Sequence, residues 1–95
     1  MSTLRWTDQA LDDIERIAVY VAERDLAAAI QLSDRIVDAA EAHLPTNPLL
    51  GRPGRVGGTR ELVVHANYML VYVIAEDRVE VLTVRHVARA WPDGF

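Results

Sequence analysis

Two histidines, His65 and His86, are the side chains of this 95-residue sequence best suited to acid–base chemistry. Each follows an alternating apolar run, so each is expected at a strand end where loops meet the sheet. Two imidazoles near arginines can act as acid and base in RNA cleavage, in which the RNA's own 2′-hydroxyl is the nucleophile and no metal is needed. The alternative interpretation is that both are ordinary surface histidines.

Five arginines lie in sequence around the same loops and strand ends: Arg52, Arg55, Arg60, Arg85 and Arg89. Their planar guanidinium groups suit the recognition of phosphates and carboxylates. In a nuclease, Arg60 and Arg85 would be candidates to stabilise the phosphorane beside the two histidines. The alternative is that these arginines are surface charges or form ion pairs with Glu61, Glu80 and the acidic helices.

The composition excludes several classes of chemistry. The chain has no cysteine, so disulfides, thiolate nucleophiles and cysteine metal sites are excluded. Three scattered histidines without spaced carboxylates do not predict a metal site. The sequence also lacks nucleotide-binding glycine motifs and hydrolase signatures, so no cofactor is expected. The net charge of −4 argues against non-specific nucleic-acid binding.

The length of the chain and its first residues limit the possible architecture and location of the protein. Residues 1–95 are expected to form one domain. No apolar stretch approaches the roughly 20 residues that span a bilayer, and the start of the chain lacks the basic and apolar segments of a signal peptide. We therefore expect a soluble, cytoplasmic protein with no membrane partner.

Periodic apolar residues predict a strand followed by two helices. Thr3–Trp6 is the predicted strand, and Thr7 is the predicted N-cap of a helix over residues 8–23, with Asp13 on its outer face. Asp25 is predicted to cap a second helix, and its apolar face is formed by Leu26, Ala29, Ile30, Ser33, Ile36, Val37, Ala40 and Leu44. Because the linker between the helices is short, they are expected to pack as an antiparallel hairpin.

The pattern becomes alternating after a glycine- and proline-rich loop over residues 49–58. Strands are predicted over residues 59–64, 68–75 and 78–85, and in the last of these Val79, Val81 and Thr83 face away from Glu80, Leu82 and Val84. Two-residue turns imply an antiparallel meander. The order predicts a two-layer α+β domain, β-α-α and then the meander, with the helical hairpin on one face of the sheet.

The middle strand of the meander is apolar on both faces, which two layers do not explain. Its two faces are formed by Met69, Val71 and Val73 and by Leu70, Tyr72 and Ile74. Helices cover one face, and the other would expose an apolar patch of the kind that marks partner surfaces. The alternative is that residues 88–95, with Trp91 and Phe95, fold back over it.

Several features follow one another in order: an aromatic first strand, an Ala-x-x-Asp-x-x-x-Ile helix, a Gly-Arg-Pro-Gly-Arg loop, a Gly-Thr-Arg-Glu-Leu strand, an x-Val-Tyr strand and a closing Trp-Pro. This set resembles the RelE/ParE superfamily of toxins over nearly the whole chain. The resemblance implies the fold described above and a growth-inhibiting toxin of a type II toxin–antitoxin, or plasmid-stabilisation, module. It also implies a hetero-oligomer with a ParD- or RelB-like antitoxin, whose C-terminal segment wraps the toxin.

Members of this superfamily act either on DNA gyrase, as ParE-like toxins, or on ribosome-bound mRNA, as RelE-like endoribonucleases. RelE-like enzymes resemble each other in a basic residue just before the Leu-Val-Tyr of the middle strand, where this chain has Met69. Some also carry a late His or Tyr, a place that His86 can take. The Gly-Arg-Pro-Gly-Arg loop and the Arg-His-x-Ala-Arg-x-Trp-Pro ending are closer to the ParE side. We therefore expect a gyrase inhibitor without enzymatic activity.

The alternative function is a metal-independent endoribonuclease that uses Arg60, His65, Arg85 and His86. In either case the residues expected at the target or antitoxin surface lie on or beside the meander. They are Arg52, Arg55, Arg60, Met69, Val71, Arg85, His86, Arg89 and Trp91.

Overall fold

A computed structural model describes residues 2–88 and contains the elements in the predicted order. They are strand β1 (Thr3–Trp6), helices α1 (Asp8–Ala22) and α2 (Leu26–His43), and strands β2 (Arg52–Pro53), β3 (Thr59–His65), β4 (Tyr68–Ala75) and β5 (Arg78–His86). The α+β prediction is confirmed. The loop over residues 49–58 was expected to be irregular throughout, but it contains the short strand β2, which pairs Arg52 with Glu61.

Both helices begin at the predicted polar caps. The Thr7 hydroxyl accepts a hydrogen bond from the Ala10 amide at 3.1 Å and donates one to the Leu82 carbonyl at 2.8 Å. The Asp25 carboxylate accepts from the Ala28 amide at 3.1 Å. Each cap satisfies one of the amides that a helix leaves unpaired at its N-terminus. The cap at Thr7 also attaches the start of α1 to β5.

The five strands form one sheet in the order β1-β5-β4-β3-β2. Strands β3, β4 and β5 form the predicted antiparallel meander, while β1 pairs in parallel with β5, with Thr3 opposite Arg78 and Trp6 opposite Val81. A parallel pair cannot be joined by a tight turn, so the chain must cross over between its two strands. Here the chain passes from β1 into the two helices, and the meander then places β5 beside β1.

The main core lies between the hairpin and the sheet. Tyr68, Leu70 and Tyr72 of β4 pack there with Val79 and Val81 of β5, and the helices supply Ala10, Leu32, Ile36, Ala40 and Leu44. The predicted core face of α2 was partly wrong, because Leu26 and Ile30 are exposed and Leu32 is buried. The buried residues of α2 are Ala29, Leu32, Ile36 and Ala40, which recur at helical spacing. Leu26 and Ile30 lie outside the face that these residues form.

The opposite face of β4 is covered at two of its apolar residues. Met69 and Val71 are fully buried and form a small separate cluster, against which Val56 and Val87 pack. Neither side chain is exposed in the free protein, so the alternative of an exposed apolar patch does not hold for these two residues. As contact residues for a partner, Met69 and Val71 stay predictions. The proposed cover by residues 88–95 lies, apart from Ala88, outside the described residues.

Asp13 lies in the interior of the molecule rather than on the predicted outer face of α1. One of its carboxylate oxygens accepts hydrogen bonds from the Thr83 hydroxyl and from the Val84 amide, the latter at 3.1 Å, and the other accepts from Gln9 Nε2 at 2.8 Å. The side chain is 8% exposed. A buried carboxylate is costly unless it is hydrogen-bonded, and these three donors supply that compensation.

The two residues of β5 that Asp13 binds directly follow a β-bulge. Val71 pairs with Thr83 and Tyr72 pairs with Val81, so Leu82 has no partner in β4. The extra residue reverses the alternation. Val84 therefore packs in the main core with Val79 and Val81, which corrects the prediction that it faces away from them.

We predict that Asp13→Ala lowers the free energy of unfolding by about 2–4 kcal/mol, because it leaves the Val84 amide and the Thr83 hydroxyl buried without an acceptor. Urea denaturation measures the change. Asp12→Ala is the matched control, since Asp12 is exposed on the same helix, and its effect is expected within about 0.5 kcal/mol. Equal stability of the two variants would contradict this account of Asp13.

Candidate functional site

A buried carboxylate organises the arginine-rich loop. Glu61 is 3% exposed, and it accepts hydrogen bonds from Arg52 Nη2 at 3.2 Å and from the Arg55 backbone amide at 3.1 Å. Arg55 Nε lies 3.8 Å from the same carboxylate. Burial of Glu61 is tolerable because charged and polar donors surround it. The interpretation that these arginines form ion pairs with Glu61 is therefore confirmed for Arg52 and Arg55.

Arg60 is engaged by the backbone of the same loop. Its Nε and Nη2 donate to the Gly51 carbonyl at 2.9 and 2.6 Å, and Nη2 also approaches the Leu49 carbonyl at 3.3 Å. A guanidinium has five N–H donors in a fixed fork. Because two of its three nitrogens are bound to loop carbonyls, Arg60 is directed at the loop and holds it to β3.

The Tyr72 hydroxyl holds the same loop through two hydrogen bonds to its backbone. Its hydroxyl accepts a hydrogen bond from the Gly51 amide at 2.8 Å and donates one to the Pro48 carbonyl at 2.7 Å. The loop lies so close to this ring that a Cβ at residue 51 would meet the Tyr72 hydroxyl oxygen at 2.7 Å. Glycine is therefore required at this position of the Gly-Arg-Pro-Gly-Arg motif for steric reasons.

His65 and His86 lie on either side of Tyr68 at one end of the sheet. The ring centroids are 6.0 Å apart for His65 and Tyr68 and 5.4 Å apart for Tyr68 and His86. The Nδ1 atom of His65 accepts the Asn67 amide at 3.2 Å, and that of His86 accepts the Ala88 amide at 3.1 Å. Both imidazoles thus accept a hydrogen bond from the backbone amide of the residue two positions later in the chain.

These hydrogen bonds fix the tautomer of each neutral imidazole. A neutral ring that accepts at Nδ1 carries its proton at Nε2, so its second nitrogen is a donor. An acid–base pair needs one member that can take a proton from the substrate. In this arrangement the Nε2 atom of each neutral ring is a hydrogen-bond donor.

The four nuclease candidates do not converge on one point. Arg60 and His65 lie five positions apart on β3, roughly 16 Å at about 3.3 Å per residue. Arg85 pairs with Met69 and His86 with Tyr68, so these consecutive residues point to opposite faces of the sheet. Arg85 is also largely buried, at 8% exposed. Two further predicted surface residues, Arg89 and Trp91, lie outside the described residues.

The described residues 2–88 contain neither a cluster of metal ligands nor a membrane-spanning helix. Within this range, no three His, Asp or Glu side chains come together in a way that could hold a metal ion. Neither of the two described helices combines the length and the apolar character needed to cross a bilayer.

A surface groove that the sequence did not predict runs between α2 and β3, with a volume of about 710 Å³. We call it the α2–β3 groove. Leu62 and Val64 of β3 lie opposite Ala39 and Ala42 of α2, and the rim is formed by Gln31, Asp34, Arg35, Asp38, His43, Leu50 and Val63. The small residues Ala39 and Ala42, three positions apart, were the available signal, but they lie off the predicted apolar face of α2.

We predict that Tyr72→Phe loosens the loop and lowers the free energy of unfolding by about 1–2 kcal/mol, because the Gly51 amide loses its acceptor. Amide exchange at Gly51 should accelerate, while Tyr20→Phe, at an exposed tyrosine, should leave it unchanged. Unaltered exchange in Tyr72→Phe would show that the hydroxyl does not hold the loop.

We also predict that neutral His65 and His86 carry their protons on Nε2. Nitrogen-15 NMR of the imidazoles distinguishes the two tautomers, and His43, at the end of α2, is the internal comparison. A dominant Nδ1–H tautomer at either position would overturn the assignment and restore that histidine as a candidate base.

Comparison with known proteins adds evidence on ancestry. Residues 4–91 match the family model described as the ParE toxin of the type II toxin–antitoxin system parDE. The protein Y4kP of Sinorhizobium fredii is 42% identical over 90 residues, which cover 94% of this chain and 92% of that protein. Toxin RelE2 of Caulobacter vibrioides is 34% identical over 89 residues, covering 94% and 99% of the two chains.

Solved structures share the fold. A chain of the chromosomal ParDE system from P. aeruginosa superposes with a TM-score of 0.81 at 24% identity, over 92% of this chain and 97% of that one. The toxin–antitoxin complex RelBE2 from Mycobacterium tuberculosis contains a chain that superposes with a TM-score of 0.64 at 29% identity, over 90% and 96% of the two chains.

Proposed function

The chain belongs to the ParE toxin family of type II toxin–antitoxin systems, and from this premise we propose that it arrests growth by binding DNA gyrase without catalysing a reaction. The observation that carries the proposal is the dispersal of the nuclease candidates. Arg60 is bound to the carbonyls of Gly51 and Leu49, and Arg85 and His86 point to opposite faces of β5. A phosphodiester could not contact all of them at once.

The histidines support the same proposal. Metal-independent RNA cleavage needs a base for the 2′-hydroxyl and an acid for the leaving oxygen. His65 and His86 both use Nδ1 to accept a backbone amide, so both offer only a donor at Nε2. Such groups can bind a partner but are poorly placed to start the reaction.

A binding role requires a defined surface, and the arginine loop offers one. The side chains of Arg52 and Arg55 are 60% and 44% exposed, although both are close to Glu61. Two guanidinium groups around one carboxylate leave one net positive charge on a loop that Tyr72 holds in place. A preorganised basic loop favours contact with an acidic protein surface, because little conformational entropy is lost on binding.

We propose further that an antitoxin of the ParD or RelB kind neutralises the protein in a hetero-oligomer. The related M. tuberculosis structure is a toxin–antitoxin complex. In this chain, such a partner could bury exposed apolar side chains on the loop and on β3. These are Leu49, Leu50 and Val63. This proposal places the protein in the cytoplasm, where gyrase acts.

The competing candidate is a ribosome-dependent mRNA endoribonuclease. The specific observation in its favour is that His65 and His86 lie on either side of Tyr68 near the turn at Asn67. On this alternative the ribosome would have to reorient the histidines, since Nδ1 of each is occupied in the free protein.

We predict that purified toxin inhibits DNA supercoiling by gyrase, and that primer extension on translated mRNA after induction shows no new cuts. The double variant His65→Gln with His86→Gln should still arrest growth when induced, since neither side chain acts as a catalyst. Loss of general acid–base catalysis from a nuclease would instead lower its activity about 10²-fold or more.

Two outcomes would contradict this proposal. Normal supercoiling in the presence of excess folded toxin would exclude gyrase as the target. New mRNA cuts that disappear in the double histidine variant would establish the endoribonuclease instead.

A further inference from the structure

We infer that the exposed face of the helical hairpin is the surface that docks on DNA gyrase, and that it fits an apolar gyrase surface flanked by lysine or arginine side chains. We call this surface the outer hairpin face. It consists of two rows of residues, Leu11, Glu15, Val19 and Glu23 on α1 and Leu26, Ile30, Asp34 and Asp38 on α2. The inference rests on the proposed function, because it names where on the toxin gyrase would bind.

The first step is the geometry of the two rows. Residues four positions apart are neighbours on a helix surface, so each row follows one line along its helix. All eight side chains are exposed. The core of the molecule lies on other sides of the helices, since Ala10 of α1 and Ile36 of α2 pack against the sheet. The rows are therefore directed away from the main core.

The second step is the apolar character of this surface. The side chain of Leu26 is 66% exposed, those of Val19 and Ile30 are 56% exposed, and that of Leu11 is 51% exposed. Val19, Leu26 and Ile30 all lie near the end of the hairpin where residues 23–25 join the helices. Exposed apolar side chains that lie together mark interaction surfaces, because burying them against a partner is favourable.

The third step is charge, which distinguishes between possible partners. Residues 8–43 carry eight exposed carboxylates and only three exposed arginines. Within the two rows, every charged residue is acidic. A second copy of this chain docked on the same face would bring like charges together, which costs several kcal/mol across an interface. The face therefore fits a partner of the opposite charge.

The fourth step is that the proposed target has surfaces of this kind. A protein that holds DNA neutralises its phosphates with lysine and arginine side chains, so a DNA-handling enzyme presents basic surfaces. Complementary charge speeds association and selects the partner. The outer hairpin face thus adds an acidic, apolar docking surface to the arginine loop, which carries the opposite charge and would meet an acidic part of the same enzyme.

The first experiment places a charge at the centre of the apolar surface. Leu26→Asp is suitable because Leu26 is the first residue of α2, where a carboxylate is favourable to the helix. The control is Asn47→Asp, which adds the same charge on an exposed loop. With the gyrase holoenzyme, Leu26→Asp should raise the toxin concentration for half-inhibition of supercoiling roughly tenfold or more, since an ionised side chain would be buried in the interface. Asn47→Asp should inhibit like the unmodified toxin.

The second experiment tests the charge of the surface. Glu15→Lys with Asp34→Lys should weaken binding of labelled toxin to gyrase about fivefold at low salt, and the difference should shrink as salt is added. The control pair is Glu76→Lys with Asp77→Lys, at the exposed turn between β4 and β5. This pair makes the same change in net charge away from the helices, so it should bind like the unmodified toxin.

The outcomes separate this inference from the function on which it rests. If gyrase is inhibited equally by the unmodified toxin and by Leu26→Asp, the outer hairpin face is not the docking surface and the inference is overturned. The same holds if Leu26→Asp abolishes only antitoxin binding or only self-association. If the unmodified toxin neither binds nor inhibits gyrase, the proposed function itself fails. Circular dichroism melts establish that each variant is folded.

Discussion

The hydrogen bonds of Asp13 connect the two layers of this fold. A carboxylate on α1 binds the bulge of β5, and β5 is the strand that pairs with both β1 and the meander. The bulge in turn brings Val84 into the core beside Val79 and Val81. This buried polar contact thus fixes the position of α1 over the sheet and the register of β5 against β4. It also determines which residues of β5 face the core, which hydrophobic burial alone leaves undetermined.

The same kind of constraint determines what the arginine loop can do. Glu61, Arg60 and Tyr72 all direct polar groups at the loop backbone or its arginines. Side chains that are hydrogen-bonded to a loop are not free to move with the charge that develops during a reaction. They do keep a basic surface in one shape, which suits recognition of a macromolecule better than catalysis.

Features set by neighbouring residues were predictable from the sequence. The caps at Thr7 and Asp25 and the turns of the meander depend on residues a few positions apart, and the structure contains all of them. The role of Asp13 was not predictable, because its two partners in β5 lie 70 and 71 residues away. The α2–β3 groove depends on how far α2 is rotated about its axis, which the apolar pattern misjudged at Leu26, Ile30 and Leu32. Burial of Met69 and Val71 likewise depends on contacts with Val56 and Val87 that alternation does not encode.

The parallel pairing of the first and last described strands has a consequence for synthesis. The Thr7 hydroxyl binds the Leu82 carbonyl across 75 residues of chain, so β1 has no strand to pair with until β5 has been made. Contacts over such long separations carry a large loop-closure cost and form slowly. Strand β5 must therefore be synthesised before the sheet can close. The nascent protein passes through an interval in which its sheet edges are open and its final surface is incomplete.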